Sequence, residues 1–173
     1  MIPVYLSLGS NQEPELHLRA AVAALRSTFG TVVLSPFYAT PAIGFDGPTF
    51  LNAAALIHTD WDAPRLDAWL HALEDAQGRR RDVPRFSSRT LDIDIVLYGD
   101  ACIDGPGHLK VPRPELHHAF VLKPLFDLAP DLRVPGRGES LRDLWQAHPE
   151  FGATPWSTPV PFEAGPAGLG SPI

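Results

Sequence analysis

From Leu91 to Leu97 the chain reads Leu-Asp-Ile-Asp-Ile-Val-Leu, and this short run limits the fold more than any other stretch. Its period of two predicts a β-strand with Leu91, Ile93, Ile95 and Leu97 facing a core. Asp92 and Asp94 then share the opposite face. Carboxylates held side by side on a rigid strand repel one another unless a positive group lies between them. Mg²⁺ suits that position, being a hard cation that prefers carboxylate and phosphate oxygens.

The residues just upstream point the same way. Arg79, Arg80, Arg81, Arg85 and Arg89 are five of only 14 basic residues, in a chain whose net charge is −6. Arginine offers phosphate oxygens a planar, bidentate fork and keeps its charge in a desolvated site. Magnesium with a polyphosphate is the simplest ligand that satisfies both the carboxylates and the arginines. The competing reading has the arginines pairing with Asp82, Asp92 and Asp94 as surface ion pairs. Carboxylates forced onto one face directly behind an arginine cluster favour the ligand-binding reading.

A chain of 173 residues that is 45% hydrophobic fits one domain with a sizeable core. Acidity and the lack of a basic stripe along any predicted helix argue against nucleic-acid binding. The start, Met-Ile-Pro-Val-Tyr-Leu-Ser-Leu-Gly, lacks a basic leader region and reads as a strand rather than a signal peptide. No apolar run reaches membrane-spanning length, so no membrane partner is expected. Cys102 is the single cysteine, which excludes an internal disulfide and agrees with a reducing, cytoplasmic setting.

Periodicity and punctuation divide the chain into elements. Strands are expected at Val4 to Leu8, Val32 to Ala39 and Phe50 to Thr59, with helices at Pro14 to Phe29 and Ala63 to Gln77. Gly9-Ser10-Asn11 is a turn whose polar groups either meet an anion or cap the following helix. Thr40 to Pro48 is a loop rich in breakers. Beyond the aspartate strand, 99–107 reads as a turn or hairpin and Leu109 to Val111 as a short strand. Glu115 to Leu128 reads as mainly helical with a kink or restart at Pro124, and a last helix runs from the N-cap Ser140 to His148. Residues 1–150 form the expected domain, and the Pro/Gly-rich tail 151–173 is expected to be mobile or draped over the surface. The order βαββαβ predicts an α+β, ferredoxin-like sandwich with a mainly antiparallel sheet, helices packed on it and an additional C-terminal helix.

No Gly-rich phosphate loop ending in Gly-Lys-Ser/Thr occurs, so arginines and metal must hold phosphate. Phe50 and Phe120 offer aromatic faces for a flat heterocycle, and Asn52, two residues beyond Phe50 on the same strand face, offers donor and acceptor to its edge. Core packing is the plainer alternative for both phenylalanines. Glu74 either orients an arginine or ligand or is a solvated helix charge. His117 and His118, adjacent on a helix, point to different sides and do not make a paired metal site.

The segments Leu8-Gly9-Ser10-Asn11, Phe37 to Pro41, Phe50 to Ala53, Glu74 to Arg81, Arg89 to Ile95 and Ala119 to Leu125 together resemble the 6-hydroxymethyl-7,8-dihydropterin pyrophosphokinase family. The resemblance spans roughly residues 3 to 148, a single-domain length. It implies transfer of pyrophosphate from MgATP to the hydroxymethyl group of a reduced pterin, releasing AMP, in folate biosynthesis. Asp92 and Asp94 would hold two Mg²⁺ ions. Phe50 and Phe120 would sandwich the pterin, with Thr40, Pro41, Ile43 and Asn52 along its edge. Glu74, Arg79, Arg81, Phe86, Arg89, Ile95 and Arg113 would bind ATP, and Arg79, Arg89, Asp92 and Asp94 would serve catalysis. Arg79 to Ser87 would be a lid. A monomer is implied.

The chain departs from the family's pattern in places. Phe86 stands where Trp is common. Arg113 stands where many members have His, and the run from Val111 to Phe120 is one residue short, with His118 near the place of a missing arginine. These changes fall on the ATP side and motivate an alternative, a non-catalytic pterin- or nucleotide-binding paralogue. A ferredoxin-like nucleic-acid binder is a third reading, disfavoured by the acidity of the chain.

Overall fold

The structure, a computed structural model, describes residues 1–42, 45–78 and 89–162. The central sheet contains β1 (Ile2–Ser10), β2 (Val33–Leu34), β3 (Tyr38–Thr40), β4 (Phe50–Thr59) and β5 (Asp92–Tyr98). Its order is β2-β4-β1-β5, with β3 also on β4, and every pairing is antiparallel. Counting β2 and β3 as one interrupted edge strand gives the ferredoxin-like arrangement expected from the element order. Helices α1 (Pro14–Phe29) and α2 (Ala63–Ala76) bury Leu18, Ala21, Leu25, Leu66 and Leu70 against one face of that sheet. Val4, Leu6, Leu8, Ile57, Ile93 and Ile95 meet them from the strands.

The opposite face carries a second core. A hairpin of β6 (Ile103–Asp104) and β7 (Lys110–Val111) leads through a 3-10 turn at Pro114–His117 into α3 (Ala119–Leu128), and α4 (Leu141–Gln146) packs beside it. Val121, Leu122, Leu125, Leu141 and Trp145 cover Tyr38, Ala54, Val96 and Leu97 there. Helices therefore lie on both faces, and the second layer leaves room at one end of the sheet for polar residues.

Three local readings are corrected. The strand expected from Val32 to Ala39 is interrupted at Ser35 and Pro36, because proline brings no N–H to the ladder; the Ser35 hydroxyl instead accepts from the Ala54 amide at 2.8 Å. Leu97 does not share a face with Ile93 and Ile95. The register slips between Tyr5 and Leu6, whose partners are Leu97 and Ile95, so Val96 is an extra residue and Leu97 turns toward α3. The helical break falls at His118, which is extended, and Pro124 sits inside α3. Of the two arrangements expected for the tail, its described part takes the draped one: Trp156 is 6% exposed, and Phe162 stacks on Phe37 at 4.0 Å. Residues 163–173 lie outside the described residues.

Candidate functional site

Strand alternation and register bring the aspartates and the polar residues of β3 and β4 onto one face. Asp92 is opposite Gly9, Gly9 is opposite Asn52, and Asn52 is opposite Tyr38, so these residues form one row across four strands. Asp94 lies one step along, opposite Ser7, and Thr40 pairs with Phe50 on the other side of the row. Gly9 is a floor without a side chain. A Cβ built there would lie 2.7 Å from Asn52 Oδ1, so the close approach of Asn52 requires glycine. Asn52 is itself buried and donates through Nδ2 to Thr40 Oγ1.

At one end of the row Glu74, Asp92 and Asp94 each present a carboxylate oxygen, all within 4.8 Å of one another. The Glu74 reading is sharpened: this residue of α2 is 2% exposed, and its Oε2 accepts from the Ile93 amide at 2.9 Å. Burial pushes the Asp94 carboxyl well above the usual carboxylate range; Asp92 adds to the shift and the Arg113 guanidinium opposes it. Oxygen-only ligands with excess negative charge suit a hard divalent cation, so the donor set fits Mg²⁺.

The arginines divide into those the structure places and those it does not. Arg89 Nη1 lies 3.2 Å from Asp92 Oδ2. Arg113 reaches the same cluster from the loop after β7: Nη2 is 3.5 Å from Asp94 Oδ1, and Nε donates to the Ile95 carbonyl at 3.0 Å. Its own amide donates to the Val96 carbonyl at 3.0 Å, so the β5 bulge is the dock for Arg113. Arg79, Arg81, Phe86 and Ile43 lie outside the described residues, as does the span expected to be a lid.

Phe50 and Phe120 are both half-buried on this side of the sheet, and Pro41 is exposed just beyond β3. Phe45, passed over in the sequence, meets Phe50 edge-on at 6.3 Å. His118 stacks on Phe120 with centroids 5.2 Å apart, and its ring is 4.1 Å from that of His117. The expectation that these histidines diverge is therefore corrected: the extended residue between the 3-10 turn and α3 brings their rings together. Burial, with His117 next, holds His118 below the ordinary histidine range, so its ring is neutral near pH 7.

Ile95 does not present its side chain to this site. It is fully buried in the core under α1 and α2, as alternation from Asp94 requires, so a contact with ATP would fall to its backbone. The turn at Gly9-Ser10-Asn11 does not cap α1. The residue before α1 is Glu13, with no side-chain cap, whereas Asn11 Oδ1 accepts from the Arg89 amide at 2.7 Å and Asn11 Nδ2 donates to the Pro48 carbonyl at 3.0 Å. Asn11 fastens the approach to β5 and the loop before β4 to the end of β1. No local spacing signals that role, because its partners lie far along the chain.

The family model described as 7,8-dihydro-6-hydroxymethylpterin-pyrophosphokinase (HPPK) matches residues 5–130. The chain belongs to this family. Among HPPK relatives, a 2-amino-4-hydroxy-6-hydroxymethyldihydropteridine pyrophosphokinase of Pseudomonas aeruginosa is 44% identical over 151 residues, covering 84% of this chain and 91% of the relative. One of the same name from Haemophilus influenzae is 39% identical over 140 residues, covering 78% and 86%. A solved HPPK-DHPS chain in complex with substrates superposes with a TM-score of 0.63 at 12% identity, over 87% of this chain and 46% of that one. Wild-type Plasmodium falciparum HPPK-DHPS with pteroate gives 0.63 at 14% identity, over 84% and 42%. This chain spans less than half of those two solved chains, and at such identities they support the ferredoxin-like HPPK fold alone.

Proposed function

We infer that the protein transfers pyrophosphate from ATP to 6-hydroxymethyl-7,8-dihydropterin, giving the pterin diphosphate and AMP in folate biosynthesis. The observation that carries this reading into the site is the row Asp92, Gly9, Asn52, with Asp94 one step along: a carboxylate pair and a polar edge on one face, separated by a residue with no side chain. In the reaction the pterin hydroxymethyl oxygen bonds to the β-phosphorus of ATP, its proton departs, and the bond from that phosphorus to the AMP oxygen breaks. Such a transfer needs placement and charge neutralisation more than a covalent nucleophile.

Asp92 and Asp94, with Glu74 behind them, would hold two Mg²⁺ ions. Held there, magnesium would supply charge neutralisation to the phosphates. Arg89 and Arg113 take the ATP side, joined by Arg79, Arg81 and Phe86 from the lid span, and Ile95 contributes through its backbone. Asn52 and Thr40, with Pro41 and Ile43, read the pterin edge, while Phe50 and Phe120 take its two faces and shield it from water. Among the described residues no helix is long and apolar enough to cross a membrane. We place the reaction in the cytoplasm, in a monomeric domain of residues 1–150, with neither membrane nor nucleic acid as partner.

Replacing either aspartate tests the reading. Asp92→Ala and Asp94→Ala should each lower turnover by about three orders of magnitude or more while circular dichroism stays native. Near-normal rates in either variant would remove the pair from the mechanism.

A further inference from the structure

The chain beyond the family match returns to the site's edge. After α4 it runs through a 3-10 turn at Thr154–Ser157 and then crosses the open edge of the sheet beside β3. Trp156 lies on the α3 side, where its ring meets Tyr38 edge-on at 5.5 Å and its Nε1 donates to Glu150 Oε1 at 3.0 Å. Val160 donates its amide to the Phe37 carbonyl at 2.8 Å. Phe162 has by then reached the other face, stacking on Phe37 at 14° between rings and packing against the core under α1 and α2. The segment thus grips Phe37 and Tyr38 from both sides of the sheet.

What it grips has a bearing on the pterin wall. β3 is bonded to β4 alone within the sheet, and Thr40, which accepts from Asn52, is two residues beyond Tyr38. Tyr38 also reaches α3: its hydroxyl donates to Asp127, and Lys123 bonds both Asp127 and the Tyr38 oxygen. Phe120 sits in the first turn of that same helix. Tyr38 therefore joins the strand that carries Thr40 to the helix that carries Phe120; Trp156 packs on Tyr38 itself, and Val160 holds the neighbouring Phe37.

We propose that residues 154–162 are a clasp that positions the pterin wall, fixing the separation between Thr40 with Asn52 on one side and Phe120 on the other. The proposal rests on the pterin reading of those residues. An edge strand paired on one side is otherwise free to fray, and the clasp supplies the missing hydrogen bond and covers both faces. The family match ends at residue 130, so the clasp lies outside it.

The test uses the full-length chain with Phe162→Ala, which removes the stack, and separately Val160→Pro, which removes the N–H given to Phe37. KM for the pterin should rise about threefold to tenfold in each, the size of one lost hydrogen bond or contact, with KM for ATP and kcat unchanged. Phe162→Tyr, which keeps the stacked ring, should restore the pterin KM. A lowered melting temperature with an unchanged pterin KM, or equal rises in both KM values, would overturn the clasp as a positioning element. Phe120→Ala separates the pterin wall from the clasp. If it weakens pterin binding and the clasp variants do not, the clasp alone fails; if it has no effect, the pterin wall and the clasp fail together.

Discussion

At the scale of single residues, Asp94 shows how a site can oppose the stability of its own fold. Its carboxyl is pushed up by burial and by Asp92, so its place in the fold disfavours the ionised form. A folded-state pKa above the ordinary value of 3.8 means that this group's stabilising contribution is complete below 3.8 and is lost as pH rises through the folded value. Asp94→Asn should therefore raise the melting temperature of the metal-free protein by about 2–4 °C while eliminating turnover. A lower melting temperature would show that Arg113 stabilises the charge more than burial opposes it. Gly9 gives the complementary case. Gly9→Ala would drive a methyl into Asn52 Oδ1, the movable end of a side chain, and the Asn52 bond to Thr40 would be displaced. The fold should survive, and kcat/KM for the pterin should fall about tenfold in steady-state assays.

At the scale of elements, local signals were readable in proportion to how local their causes are. Helix α1 starts at Pro14 and stops at Gly30, whose φ of 83° an L side chain would resist, and both ends follow from the sequence. Ser140 caps α4 as its residue type predicts, accepting from the Asp143 amide at 3.0 Å while the Asp143 carboxylate accepts from the Ser140 amide at 3.1 Å. These bonds hold the Asp143 carboxyl below its ordinary range, so the associated stability is present above 3.8 and is lost as pH falls through the folded value. Ser140→Ala should cost about 1 kcal/mol by chemical denaturation, and the acid-side loss should shrink; an unchanged denaturation midpoint would deny the cap its role. The Val96 bulge, by contrast, was invisible, because Ile95-Val96-Leu97 is apolar throughout and alternation has nothing to read there. The extra residue shows itself only through pairing with Tyr5 and Leu6, and through Arg113 docking on the carbonyls of Ile95 and Val96. Trp156 and Phe162 were hidden by the prolines and glycines around them, since composition does not reveal partners more than a hundred positions away in Tyr38 and Phe37.

For the whole molecule, the α+β order was legible because four expected strands and two helices follow the order βαββαβ, and splitting the second strand into β2 and β3 leaves that order intact. The carboxylate pair was legible because a strand dictates which side chains share a face. The distances between Asp94 and Arg113, between Asn11 and Arg89, and between Glu74 and the Ile93 amide were not, because each joins elements whose relation is settled by tertiary packing. Together these contacts place a carboxylate cluster at one end of a row and a polar edge at the other, with helices α3 and α4 covering the rest of that face. On the pyrophosphokinase reading, this face joins a whole pyrophosphoryl group to a pterin. The most direct measurement is to incubate the protein with MgATP and 6-hydroxymethyl-7,8-dihydropterin and resolve the nucleotide products by chromatography. Equimolar AMP and pterin diphosphate are predicted; ADP with a pterin monophosphate, or no turnover of ATP, would contradict it.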